Sequence, residues 1–294
     1  MNSRWMIAQG RTVLTAGTVL AVLLLAGGWL FSHPMSVSAN QSVILLPAAM
    51  YHSVTDAGDS PAQYVISPSM LESDLQYLQA HGRETVTIHD LLAYVQDGAA
   101  LPEKPVLLTF DDGYYNNYKY AYPLLKQYGM RAVLSPVACL TERFSQTDEA
   151  EQEAWSYCTG RELREMADSG VFEIQNHSYD FHELKPRKGC LRMAGETAAA
   201  YRQCFLSDTR RAQDLFVSLG IEAPVCYTYP YGAVNAEAQA LTAVCGFPVT
   251  LSCEEGVTAL TRDTACLKGI RRNNRDGRWS SAQFWDALLA QTEG

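Results

Sequence analysis

The chain has 294 residues, 47% apolar and 19% charged, so it can bury a sizeable core, and a disordered or fibrous protein is excluded. Its formal charge of −9 argues against nucleic acid as a partner and against adsorption of the folded part to anionic membrane surfaces.

Residues 12 to 31, "TVLTAGTVLAVLLLAGGWLF", are uncharged and follow Arg4 and Arg11. A helix of that length crosses a bilayer core of about 30 Å, and the two arginines predict a cytoplasmic N-terminus. A cleaved signal peptide is the alternative, because "VSA" at Val37 to Ala39 has the small-residue spacing of a cleavage site. Either way the rest of the chain is expected outside the cytoplasm. The organisation predicted is an anchor or signal segment at 1–31, a polar linker at 32–42 and one domain over 43–294.

Beyond the linker, "SVILLPAAMYH", "ETVTI", "PVLLTF", "RAVLSPV", "GVFEIQNH", "PVCYTYPYG" and "FPVTLSC" read as buried strands, short, β-branched or aromatic, and bounded by Gly or Pro. Amphipathic helices fall between them. Ser67 and Pro68 open one whose Leu71, Leu75 and Leu78 share a face until Gly82. Tyr118, Tyr122, Leu125 and Tyr128 step along another until Gly129, and Thr159 with Glu162 makes a capping box for a third. Strands and helices alternating this regularly predict parallel strands with right-handed crossovers. About seven such units fit an α/β fold of the distorted (β/α)7-barrel type, preceded by the transmembrane helix. The site of such a barrel lies at the C-terminal strand ends, which is where "FDDG" falls.

Asp111 and Asp112 close an apolar run directly before Gly113. Adjacent strand residues point to opposite faces, so both carboxylates reach one mouth only if the chain turns there, which Gly113 permits. Otherwise one of them caps the helix starting near Asn116. His177 and His182, in "NHSYDFH", are five apart and share a site only across a turn. Two histidines with a strand-end aspartate make a common zinc set that leaves positions open for water and substrate. "YTYPYG" ends another strand, and "MYHSV" puts His52 at the end of the first. The eight cysteines all follow the apolar segment; their even number suggests disulfides, and no CxxC spacing marks them as metal ligands.

Together, "TFDDGY", a His–Ser–x–x–x–His loop and "YPYG" resemble the polysaccharide deacetylases, carbohydrate esterase family four with NodB homology, over roughly residues 43 to 290. The early "MYHS" is similar to the branch containing the poly-N-acetylglucosamine deacetylases. The resemblance implies that Asp112, His177 and His182 bind a divalent metal, zinc by default, while Asp111 acts as base and His52 as acid. It also implies an oxyanion contact from the backbone of Tyr231. The substrate implied is an acetylated polysaccharide, N-acetylglucosamine-containing or of another class such as acetylxylan; a catalytically silent wall-binding protein would lack Asp111 or His52. Two departures stand out. The metal histidines are one residue further apart than the usual family pattern, and Thr228 occupies the arginine position of the "RxPYG" motif. Arg272, in "GIRRNNR", is the candidate to orient Asp111 instead. Tyr114, Tyr179, Tyr231 and Trp155 are the candidates for flat sugar-binding surfaces.

Overall fold

Eight consecutive residues from Pro105 to Asp112 are buried, and they form the central strand of the fold. The computed structural model describes residues 43–57, 61–147 and 150–292. The segment expected to anchor or export the chain lies outside these residues. Among the described residues no helix is long and apolar enough to cross a membrane.

Seven parallel strands carry the architecture: β1 (Ala48–Tyr51), β2 (Pro105–Asp112), β3 (Ala132–Pro136), β4 (Phe172–Ile174), β5 (Cys226–Thr228), β6 (Val249–Leu251) and β7 (Asn273–Asn274). Ladders join β7 to β1, β1 to β2, β2 to β3, β3 to β4, and β5 to β6. Single parallel bridges, Asn176 to Tyr227 and Leu251 to Ile270, continue the path from β4 to β5 and from β6 towards β7. The strand order therefore returns to its start in a distorted ring.

Two strands differ from the sequence expectation. "ETVTI" gives only Glu84–Val86, which pairs with the first residues of β2 and stands off the ring. The seventh place is taken by β7, from the polar stretch "GIRRNNR". Polar groups hold β7 in register where a strand would normally rely on apolar burial. Asn273 Nδ2 donates to the carbonyls of Ala48 and Gly256, and Arg272 and Arg275 on either side of the strand are fully buried against carboxylates.

Successive residues of each strand enter different cores, as the two-residue pleat requires. Ala48, Leu107, Val133, Cys226, Val249 and Ile270 pack together inside the ring. Ala49, Leu108, Leu134 and Phe172 face the surrounding helices. Along β2 the inward positions run from Leu107 through Thr109 to Asp111, so the interior becomes polar towards the C-terminal ends.

The helices start where their caps predict. Ser67 Oγ accepts from Met70 N–H at the head of Pro68–Ala80. Thr159 and Glu162 form the reciprocal capping box of Gly160–Asp168. All eight cysteines are free thiols, so none of the disulfides suggested by their even number is present.

Candidate active site

Asp112 breaks the alternation of β2. Its φ is +68° and that of Gly113 is +79°, both in the left-handed region. A Cβ on Gly113 would lie 2.5 Å from Pro136 Cβ, so only glycine fits this turn. The reversal brings both carboxylates into one cleft of about 630 Å³, also lined by His52, His177, His182 and Tyr231.

The histidine loop turns where the five-residue spacing demands. Asn176 Oδ1 accepts from Ser178 N–H, and Ser178 takes φ +77°. Asp208, on the helix Ala198–Ser218, then receives the backbone N–H groups of Tyr179 and Asp180 at 2.9 and 2.8 Å. His177 and His182 are thereby aimed at Asp112: their Nε2 atoms lie 3.5 and 3.0 Å from Asp112 Oδ1. His177 Nδ1 is 2.8 Å from the Thr228 carbonyl, to which it donates, leaving Nε2 as the free lone pair a metal ligand needs. Burial opposes the charge of Asp112, yet the two imidazoles hold its carboxyl well below the ordinary range. Asp112 Oδ1 is nevertheless buried with no hydrogen bond of its own. An unsatisfied carboxylate oxygen facing two imidazole nitrogens, with all three ligand atoms within 4.8 Å, fits a divalent cation.

Asp111 is held by a different group. Arg272 Nη1 and Nη2 donate to its Oδ1 and Oδ2 at 2.7 and 2.9 Å, a bidentate pair in which both side chains are essentially buried. Arg272 Nη1 also donates to Thr109 Oγ1, and Nε to the Ser252 carbonyl. Burial pushes the Asp111 carboxyl up, but the Arg272 guanidinium together with the imidazoles of His177 and His52 holds it below the usual carboxylate range. Thr228, in the position of the missing motif arginine, pairs its hydroxyl with Ser135 at 2.8 Å. Removing one member of a buried ion pair costs about 3–5 kcal/mol, so Arg272→Met is expected to lower unfolding stability by roughly that amount. Urea unfolding checks this, and a loss below about 1 kcal/mol would show that Asp111 does not depend on its partner.

His52 follows β1 and lines the same cleft, with Nδ1 buried and unpaired. Burial lowers its pKa below the ordinary imidazole value, against the upward pull of Asp111 and Asp112. Asn116 fixes the segment behind it, accepting from Val54 N–H and donating to Ser53 Oγ.

The aromatic candidates divide. Tyr114 lines the cleft and stacks on Tyr157 with centroids 4.8 Å apart. Tyr231 is 42% exposed, stacks on His182 at 4.6 Å and takes φ +57°. Tyr179 does not line this cleft: the turn at Ser178 sends it towards the core, where Arg211 covers its ring and its hydroxyl donates to Glu142. Trp155 is exposed over Phe144 and does not line the cleft. The sequence reading missed Tyr64, which lies edge-on to His52 at 4.7 Å in the cleft and is 48% exposed. It also missed the loop anchors Asn116 and Asp208. Tyr64 sits in the unpatterned stretch "PAQYV" and Asp208 within an ordinary helix, so neither carried a local signal.

The sequence model of the polysaccharide deacetylase family matches residues 98–250, which hold the Asp111–Asp112 pair, the histidine loop and the "YPYG" turn. The chain belongs to the polysaccharide deacetylase family. It is 27% identical over 227 residues to the Bacillus subtilis (strain 168) protein YxkH, an overlap of 77% of this chain and 71% of YxkH. To the poly-beta-1,6-N-acetyl-D-glucosamine N-deacetylase of Staphylococcus aureus (strain N315) it is 27% identical over 195 residues, 65% of this chain and 62% of that enzyme. The chain therefore spans less than two thirds of the staphylococcal enzyme's length. The structure of the de-N-acetylase from Aggregatibacter actinomycetemcomitans superposes with a TM-score of 0.69 at 23% identity, over 83% of this chain and 100% of that one, and shares the α/β deacetylase fold. This member of the polysaccharide deacetylase family is accordingly a hydrolase that removes acetyl groups.

Proposed function

We propose that the enzyme removes acetyl groups from polymers of N-acetylglucosamine, with a zinc ion held by Asp112, His177 and His182. The observation that carries this reading is the division of the carboxylate pair. Asp112 faces two imidazoles, whereas Asp111, its neighbour in sequence, is clamped by Arg272 and stays available as a base. A cation at the three ligands would supply Lewis acidity, polarising the acetamide carbonyl and acidifying the attacking water. Asp111, ionised and fixed by two hydrogen bonds, accepts the proton that this water loses. The backbone N–H of Tyr231, a cleft residue with a left-handed φ, is the partner assigned to the developing oxyanion in this reading. His52, at the same cleft with an unpaired ring nitrogen, donates to the departing sugar nitrogen. The products are acetate and a free amine on the sugar.

The staphylococcal relative supports N-acetylglucosamine units as substrate. An extracytoplasmic domain, as residues 12 to 31 imply, would meet such polymers at the cell surface. Acetate release from β-1,6-linked N-acetylglucosamine oligomers, set against acetylxylan, tests the assignment. Release from the amino-sugar oligomers is expected. Acetate from acetylxylan alone would move the enzyme to O-acetyl esters, and no acetate from either would leave a glycan-binding scaffold.

A further inference from the structure

The catalytic cleft continues into a second groove of about 370 Å³, and Gln63, Glu255 and Asn274 line both. Trp279 lines only the second groove and is 47% exposed. The groove forms where the turn after β7 packs on residues 62–65. Gly277 N–H donates to the Ala62 carbonyl at 2.9 Å, and Asn274 Nδ2 donates to the Gln63 carbonyl at 2.6 Å. A Cβ on Gly277 would lie 2.1 Å from the Val65 carbonyl oxygen, so the two backbones meet as closely as glycine allows.

Two acceptors are left free at the junction. Asn274 Oδ1 is buried and has no hydrogen bond, and its direction is set because the amide nitrogen is engaged with Gln63. The Glu255 carboxylate makes no ion pair or hydrogen bond among the described residues; the nearby Arg271 donates to the Glu255 backbone carbonyl at 3.3 Å and pairs with Glu254. Asp276, the other acid of the groove, is neutralised by Arg278, whose Nε lies 2.8 and 3.0 Å from its two oxygens. The Gln63 amide donates one of its two N–H groups to the Tyr64 hydroxyl. A ligand that brings donors across this junction therefore meets two acceptors with no side-chain partner, one of them a carboxylate. The flat indole beyond suits the apolar face of a sugar ring.

We propose that this tract is a subsite for a neighbouring sugar of the polymer, stacked on Trp279, and that it favours a sugar whose nitrogen has already lost its acetyl group. An N-acetyl group brings one N–H and a methyl; a glucosamine ammonium brings three N–H donors and the charge that complements Glu255. The inference rests on the proposed N-deacetylation. It implies that one turnover improves the binding of the next stretch of chain, so that acetyl groups are removed in runs.

The test compares β-1,6-linked disaccharides and pentasaccharides, fully acetylated or carrying one glucosamine. The native enzyme is expected to show a lower KM for the pentasaccharide, and Trp279→Ala to raise that KM about 5-fold to 10-fold at unchanged kcat, the worth of one aromatic contact. Glu255→Gln is expected to bring the kcat/KM ratio of glucosamine-bearing to fully acetylated pentasaccharide down to one. An unchanged pentasaccharide KM in Trp279→Ala overturns the subsite; a preference that survives in Glu255→Gln overturns the reading of the amine. Calorimetric binding of a glucosamine pentasaccharide to the native protein reads the tract apart from turnover. Binding that Trp279→Ala weakens, in a protein releasing no acetate, would sink the parent activity and leave the tract standing.

Discussion

Alanine in place of Asp112, His177 or His182 is expected to remove bound metal and acetate release together. Each side chain supplies one of three converging ligand atoms, and the buried Asp112 Oδ1 has no hydrogen-bond partner among the described residues. A cation stabilising the oxyanion contributes several kcal/mol, so each loss should reduce turnover by at least about 10²-fold to 10³-fold. Metal content by elemental analysis, measured beside the rate, checks the coupling. His182 is the informative position, because it is the more exposed histidine and stands at the wider spacing. Full metal occupancy in His182→Ala would take it out of the ligand set. The melting temperatures of the metal-free proteins control for damage to the loop itself.

Asp111→Asn and His52→Ala should behave differently, retaining metal while losing at least about 10²-fold in kcat, the usual worth of a positioned acid or base. Their losses should not add, since both groups serve one proton-transfer sequence. The direction of the pH dependence follows from the two environments. Asp111 is held below the carboxylate range by Arg272, so it stays ionised through neutrality and the acid limb of kcat/KM lies far to the acid side. His52 must carry a proton to donate one, and burial lowers its pKa below about 6.5. Its proton is lost as the pH rises through that lowered value, so the alkaline limb falls there and should flatten in His52→Ala. An active His52→Ala enzyme with the parent's alkaline limb would place the acid elsewhere.

Much of this was legible in the sequence because it depends on local rules. Short β-branched runs bounded by Gly and Pro gave the inner strands, and the caps at Ser67 and Thr159 gave helix starts. Gly113 behind two aspartates announced a turn that would break the strand alternation, and both carboxylates do reach one cleft. What stayed hidden depends on partners distant in the chain. The strand β7 contains no apolar run and exists because Arg272, Asn273 and Arg275 find carboxylates and carbonyls on other strands and helices. Tyr179 had the composition and position of a sugar surface, but one left-handed residue, Ser178, turned it inward. The cysteine count suggested cross-links, yet spacing along the chain says nothing about which thiols meet in space.

The pairing of the first ring strand with the last has a further consequence, for the order of events in synthesis. Asp111 and the arginine that neutralises it are 161 residues apart in the chain, and Asp74, which Arg275 clamps, lies 201 residues before it. Contacts of such high contact order form slowly, because a long loop must close before any of them stabilises the fold. A nascent chain in which the strands through β5 have emerged but β7 has not would carry the base, the ligands and the acid with nothing to offset the buried charge of Asp111. Catalytic competence should therefore arrive late and all at once, as the closing strand docks.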